Sequence, residues 1–422
     1  MARQYFGTDG VRGVVGDSLT AELVERLGKA AALWCGGGRI LVGRDTRGSG
    51  PELEQALVRG IAAAGGTAVL AGVLPTPAVA LLRLDLGVVV SASHNPPEYN
   101  GLKLFDRMGG KLSDAQEEEI EALLDEPARG GGGVETAEGA ADEYLALVVE
   151  RFGADLSGLR IAVDCANGAY SGLAPRAFEQ LGANVTAIGD EPDGTNINVG
   201  CGATDLSALS ETVRGGGDFD LGVAFDGDGD RMLAVDENGE PLDGDQILAV
   251  LALDLGVDAV AVTVMTNLGF HRLMEERGIE VVTTDVGDRY VLEAVRRERA
   301  LLGGEQSGHV LWLDGHVAGD GLVAALLLCR ALKGRRLSEA AAVMPRLPQV
   351  IRNLPRAGRR PLPDSLLDRV AALNEDLAGR GRVLVRPSGT EPVVRILAEA
   401  ETQEEAESLC ASLAELVTQE LG

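Results

Sequence analysis

Three similar mixed-sheet α/β domains and a smaller C-terminal α+β domain, set around one central cleft, are the fold this sequence predicts. Three observations predict it. Short apolar runs alternate with helix-like segments from Thr20 onward, the rhythm of βαβ units whose sheets are covered on both faces. At 422 residues the chain is too long for one core and suggests about three domains. The segments that carry chemistry each follow an apolar run directly, and in open α/β sheets ligands bind outside the carboxyl ends of strands. Four such edges facing one another make a deep cleft.

The first unit, residues 1–150, reads as helix Thr20–Trp34, strand Arg39–Gly43, helix Pro51–Ala64, strand Thr67–Ala71, helix Pro77–Leu84 and strand Gly87–Ser91. Arg129-Gly-Gly-Gly-Gly133 reads as a flexible surface loop, and helix Ala141–Phe152 leads onward. The second unit, 151–244, holds strand Leu159–Asp164, helix Leu173–Leu181, strand Asn184–Ile188 and the paired runs Leu221–Phe225 and Met232–Asp236. The third, 245–347, holds helix Gln246–Leu255, strand Ala259–Val264, helix Leu268–Arg277, strand Glu280–Thr284, helix Arg289–Arg299 and strand Leu301–Gly303. Five prolines between Pro345 and Pro363, interleaved with arginines, read as a solvated linker. The last unit, 348–422, then has helix Ser365–Leu377, strands Arg382–Arg386 and Val393–Ala400, and helix Gln403–Glu420.

Bulk composition narrows the function. A formal charge of −27 argues against nucleic acid or an anionic membrane as partner. It also requires local arginines to hold any anionic substrate. Five scattered cysteines without CxxC spacing read as reduced thiols, and no basic-then-apolar leader or long apolar run appears, so a cytoplasmic protein is expected. Aromatic residues are only 3% of the chain, so its cores rest on Val, Leu, Ile and Ala.

Asp226-Gly-Asp-Gly-Asp-Arg231 is the most specific motif. Asp226, Asp228 and Asp230 alternate with glycines on a tight loop between two strands, an oxygen cage suited to Mg²⁺ or Ca²⁺. A cation held so commonly serves phosphate chemistry. An EF-hand also opens with this triplet, but Arg231 stands where its loop requires glycine, and the flanks read as strands. A solvated acidic turn is the plainer alternative.

Ser91-Ala-Ser-His-Asn-Pro96 follows an apolar strand, so Ser93 is displayed at a strand end beside His94, as a phosphoryl-carrying nucleophile or as a hydrogen-bonded turn. Lys103 lies close enough in sequence to reach the same place. In Gly304-Glu-Gln-Ser-Gly-His309, Glu305, Ser307 and His309 alternate, which places them on one side of an extended loop and suits sugar hydroxyls or an amine. Arg386-Pro-Ser-Gly-Thr-Glu-Pro392 joins two strands; Ser388, Gly389 and Thr390 with Arg386 and Arg395 suit phosphate oxygens, without the Walker spacing. Arg12 stands at an early glycine turn. Gly287 and Asp288 stand in a strand-to-helix turn whose amides face a substrate.

Taken with Gly43-Arg-Asp-Thr-Arg47, these segments, in this order, resemble the α-D-phosphohexomutase family nearly end to end. The resemblance implies four domains: phosphoserine, metal-binding, sugar-recognition and phosphate-binding. It implies one Mg²⁺ per chain, bound by Asp226, Asp228, Asp230 and an oxygen of phosphorylated Ser93, with Arg231 supporting the loop. Arg12, His94 and Lys103 would polarise the transfer and handle the proton, Lys103 being the preferred base and His94 and His309 its alternatives. Glu305, Ser307, His309, Gly287 and Asp288 would bind the sugar, and Arg386, Ser388, Gly389, Thr390 and Arg395 the phosphate.

Gln306, Thr195-Asn-Ile-Asn198 and Thr266-Asn-Leu-Gly269 are similar to the branch acting on glucosamine phosphates, which feeds UDP-N-acetylglucosamine and cell-wall precursor synthesis. Pro97-Glu98-Tyr99 is closer to the mannose- and glucose-phosphate branch. The partners implied are sugar phosphates, with a hexose bisphosphate as activator and a homodimer as assembly. A non-catalytic sugar-phosphate sensor would need the same cleft, but neither Ser93 nor the carboxylate triad.

Overall fold

The computed structural model describes residues 4–7, 9–355, 361–387 and 393–421. The chain divides into two compact units, Met1–Val264 with Glu280–Ala342, and Met265–Ile279 with Val343–Gly422.

The first unit contains three sheets. Strands β1 (Val11–Val14), β2 (Arg39–Arg44), β3 (Thr67–Val73), β4 (Leu86–Val90), β5 (Tyr99–Phe105) and β6 (Gly133–Thr136) form one sheet in the order β1-β5-β4-β2-β3-β6. Its β4-β2-β3-β6 part is parallel, whereas β5 runs antiparallel to both neighbours. Every residue of β4 is buried, the expected state of a parallel strand with helices on both faces. Helices Ala21–Trp34 and Gly50–Ala63 supply part of that cover, the first capped by the Thr20 hydroxyl, which accepts from the Leu23 amide.

The second sheet comprises β7 (Arg160–Asp164), β8 (Asn184–Ile188), β9 (Leu221–Phe225), β10 (Met232–Asp236) and β11 (Pro241–Leu242), in the order β11-β10-β9-β7-β8. The third comprises β12 (Ala259–Thr263), β13 (Glu280–Thr284), β14 (Leu302–Gly304) and β15 (Val310–Trp312), in the order β13-β12-β14-β15. Both mix parallel pairs with an antiparallel edge, as the α/β rhythm predicts.

In the second unit β16 (Gln349–Pro355), β17 (Arg382–Pro387) and β18 (Val393–Glu399) form an antiparallel sheet, with β18 central. Helices Asp364–Leu377 and Gln403–Leu421 close its core through Leu366, Val370, Cys410, Leu413 and Val417.

Several elements depart from the sequence reading. The proline-rich stretch read as a linker contains β16. An edge strand needs only one row of ladder bonds, so Pro355 is tolerated at its end. The glycine run at 129–133 is tied down: the amides of Arg129 and Gly130 donate to Ala63 O, that of Gly132 to Ala62 O and that of Gly133 to Gly66 O, and the run enters β6. Strands β1 and β5 have no apolar alternation, because Arg12, Asn100, Gly101 and Lys103 interrupt it. Glu305 to His309 is a turn between β14 and β15 rather than an extended loop. The Glu305 amide donates to His309 O, and Gly308 N donates back to Glu305 O. Among the described residues no helix is long and apolar enough to cross a membrane. All five cysteines are free.

Candidate active site

Three sheets of the first unit bring their chemistry to one place. The turn after β4 holds Ser93, only 1% exposed. Its Oγ donates to Asp226 Oδ2 at 2.6 Å and lies 3.3 Å from His94 Nδ1. Burial, followed by the nearby Arg231 and Arg12 charges, pushes His94 down to about 3, so the imidazole is neutral.

Residues 226–231 form the loop between the antiparallel strands β9 and β10. Two of its glycines are required by close approach. A Cβ on Gly227 would stand 2.8 Å from Ser93 O, and one on Gly229, at φ +79°, would stand 2.4 Å from the Tyr170 ring. The carboxylates of Asp226, Asp228 and Asp230 are buried and offer oxygens within 4.8 Å of one another. Burial and the charges of Asp230 and Asp228 raise Asp226 to about 8, the sign of carboxylates crowded without enough positive charge. Asp228 Oδ1 and Asp230 Oδ1 are buried and accept no hydrogen bond. An all-oxygen, anionic, partly unsatisfied donor set fits a hard divalent cation.

Lys103 reaches this loop from β5. Its Nζ lies 2.8 Å from Asp228 Oδ2, 2.7 Å from Asp230 Oδ2 and 3.2 Å from Asp9 Oδ2. Burial alone would favour the neutral amine, but Asp228, Asp230 and Asp9 reverse it and hold the group well above its ordinary range. Lys103 is therefore an ammonium ion here, which suits charge stabilisation rather than proton acceptance.

Arg12 pairs with Asp9 and donates to Asn95 Oδ1 at 3.0 Å. Lys111 bridges Asp9 and Asp288. Burial works against ionised Asp9, yet Lys103, Lys111 and Arg12 hold it well below the usual carboxylate range. Arg231 donates its backbone amide to Asp226 Oδ1 at 3.1 Å, closing the 226–231 loop.

The third sheet contributes the turn after β14. Glu305 and His309 are buried and Ser307 is exposed, so the turn separates the three side chains that alternation placed together. Glu305 Oε1 accepts the Gly287 amide at 3.1 Å, so that amide is engaged within the protein rather than aimed at a ligand. Asp288 opens helix Asp288–Arg297, pairs with Lys111 and lies 3.5 Å from His309 Nε2. His309 Nδ1 lies 3.8 Å from Asp230 Oδ1, and an antiparallel bridge between Arg231 and His309 joins this turn to the 226–231 loop.

In the second unit Arg386 and Arg395 are direct cross-strand partners on β17 and β18. Ser388, Gly389 and Thr390 lie outside the described residues.

Sequence reasoning gave no site role to Asp9, Lys111, Thr76 or Arg47, although Arg47 closes a segment that carries the resemblance. Thr76 donates its hydroxyl to Asp228 Oδ2 and its amide to Asp228 O at 2.9 Å. Lys111 had a signal, as one of only four lysines in the chain. Thr76 had none, being a lone hydroxyl between two prolines.

Comparisons with known proteins point to one family. The phosphoglucomutase/phosphomannomutase family matches in four parts: alpha/beta/alpha domain I over residues 3–129, domain II over 142–239, domain III over 243–347, and the C-terminal domain over 335–416. A phosphoglucosamine mutase of Clostridium acetobutylicum is 46% identical over 442 aligned residues, covering 98% of each chain. One of Moorella thermoacetica is 48% identical over 437, covering 97% of this chain and 98% of the relative. The crystal structure of a phosphoglucomutase/phosphomannomutase family protein from Burkholderia thailandensis superposes with a TM-score of 0.85 at 27% identity, over 99% of this chain and 98% of that one.

Proposed function

The chain belongs to the phosphoglucomutase/phosphomannomutase family, and from that premise we propose that it interconverts glucosamine 6-phosphate and glucosamine 1-phosphate through a phosphoserine. The substrate follows the relatives, which are phosphoglucosamine mutases along nearly their whole length. The observation that carries the mechanism is the Ser93 hydroxyl seated on Asp226, at the edge of a carboxylate cluster faced by Lys103.

Asp226, Asp228 and Asp230 are the residues that would hold Mg²⁺, whose chemistry is to neutralise negative charge on phosphoryl oxygens. In the first step the bond between phosphorus and Ser93 Oγ breaks. A bond from phosphorus to the free sugar hydroxyl forms, giving a bisphosphate, and the hydroxyl proton passes by relay to the departing Ser93 Oγ. After the bisphosphate turns over, Ser93 Oγ takes the other phosphoryl group and the proton returns to the departing sugar oxygen. Lys103, held as an ammonium, offsets charge during both transfers. Neutral His94, 3.3 Å from Ser93 Oγ, stands where it relays the hydroxyl proton rather than keeping it, since burial leaves the imidazole a weak base.

Glu305 and His309 take the sugar side. Arg386 and Arg395, with Ser388, Gly389 and Thr390, take the phosphate that is not being transferred. The four functional regions follow the boundaries 1–150, 151–244, 245–347 and 348–422, and the enzyme works in the cytoplasm.

³¹P NMR with Mg²⁺ and a trace of hexose bisphosphate tests the reading. Glucosamine 6-phosphate, glucose 1-phosphate and mannose 1-phosphate are supplied in turn, and fastest interconversion of the glucosamine phosphates is expected. Preference for glucose or mannose phosphate would overturn the substrate and keep the mechanism. Release of inorganic phosphate alone would overturn both.

A further inference from the structure

Ser93 has φ +52°, in the left-handed region that a residue with a Cβ rarely occupies. Both ends of its backbone are held. Its amide donates to Ser91 Oγ at 2.9 Å, and that hydroxyl donates to Asp45 Oδ2 at 2.5 Å. Its carbonyl accepts from Arg47 at 2.8 Å and from Asn198 Nδ2 at 2.9 Å.

Arg47 is 0% exposed, and the turn wraps around its guanidinium. One terminal nitrogen donates to Ser93 O and, at 2.7 Å, to Asn95 O. The other donates to Pro96 O and, at 3.0 Å, to Tyr99 O. Its Nε donates to Asp45 Oδ2 at 2.9 Å. Only a planar fork with five donors satisfies four carbonyls and a carboxylate at once; a lysine ammonium has three donors and no fixed plane. Asn198 comes from a different sheet's loop, its own amide held by Ala166 O at 2.9 Å, and it also reaches Asn95 O at 3.3 Å.

We propose that Arg47 and Asn198 are positioning residues for phosphoryl transfer, a clamp that keeps Ser93 left-handed so that Oγ points at the metal carboxylates. This rests on Ser93 being the phosphorylated nucleophile. Neither residue contacts Ser93 Oγ; each acts through the serine carbonyl. Without the clamp the turn relaxes toward ordinary φ, and Oγ swings off the line to Asp226.

Arg47→Lys and Asn198→Ala test it in the full-length enzyme. Single-turnover transfer from phospho-Ser93 to glucosamine 6-phosphate is measured beside kcat, KM and the thermal midpoint, with the phosphate site mapped by mass spectrometry. A misplacement of about 1 Å costs about 100-fold in rate, so transfer and kcat should fall by that order while KM stays nearly constant. Asn198 is only partly buried, so its variant should keep the parent's thermal midpoint and decides the matter if Arg47→Lys fails to fold. Unimpaired single-turnover transfer in folded Asn198→Ala overturns the clamp, as does a loss confined to KM. Phosphate mapped to a residue other than Ser93 in the parent enzyme overturns the nucleophile assignment instead.

Discussion

Ser93 Oγ and Asp226 Oδ2 are 2.6 Å apart, although 133 positions of sequence separate the two residues. That contact joins the proposed phosphoryl carrier to the carboxylate cluster, and it makes the first prediction sharp. Ser93→Ala removes one oxygen from a buried site without enlarging any side chain. Mutase turnover should fall by several orders of magnitude while the far-UV spectrum and thermal midpoint hold. Turnover near the parent rate in the ³¹P assay would refute the assignment.

Thr76 bonds Asp228 with both its hydroxyl and its amide, so it orients a carboxylate of the proposed metal cage. Thr76→Val keeps the shape and the amide bond. The Mg²⁺ concentration for half-maximal activity should rise by about 10-fold or more, the usual cost of losing an outer-shell partner. Asp228→Asn should raise it further, and a metal titration that neither change shifts would exclude Asp228 from the cage.

Lys103 is buried among Asp9, Asp228 and Asp230. Lys103→Met leaves three carboxylates facing one another. Breaking a buried charge group from one side costs about 3–5 kcal/mol, so denaturant unfolding should occur markedly earlier in the absence of Mg²⁺. Added Mg²⁺ should recover part of the loss. A variant as stable as the parent in EDTA would show that the ammonium contributes nothing to holding the cluster.

His271 is pushed down from 6.5 to about 4, first by burial and then by the Arg382 charge. Unfolded, the imidazole takes a proton below 6.5; folded, it stays neutral until about 4. Stability therefore falls as pH drops from 6.5 toward 4, because the unfolded chain binds the extra proton. His271→Asn should flatten the unfolding midpoint across that window. An identical slope in parent and variant would remove His271 as its source.

Gln306 Nε2 donates to Asp245 Oδ2 at 3.2 Å, a bond methionine cannot make. Gln306→Met releases Asp245 and alters the turn that carries Glu305 and His309, so the ratio of kcat/KM for glucosamine phosphate over glucose phosphate should fall by about 10-fold, the low end of discrimination by pocket shape. An unchanged ratio would place selection elsewhere.

The carboxylate loop and the Ser93 turn were legible in the sequence because each is local. Three aspartates spaced by glycines, and a serine displayed after an apolar strand, carry their chemistry within six residues. The helices were legible for the same reason: Thr20 caps Ala21–Trp34 from the adjacent position. Strands β1, β5 and β16 were not, because their pattern is broken by residues answering to something other than burial. Arg12 and Lys103 serve the site, and Pro355 ends an edge strand. Alternation misled at Glu305, Ser307 and His309, since a turn reverses the chain where an extended strand would have aligned them.

Composition and motif order by themselves gave the α/β class and the family resemblance, and marked Asp226, Asp228, Asp230 and Ser93 as candidates for the site. These are properties of short segments and of their succession along the chain. Tertiary structure alone decided which distant groups share the site. Asp9, Thr76, Lys103 and Lys111 meet Asp228, Asp230 and Asp288 only because three sheets bring their strand ends together. It also decided that Lys103 is an ammonium and His94 a neutral imidazole. Those states depend on burial and on charges supplied from across the fold, which no spacing along the chain encodes.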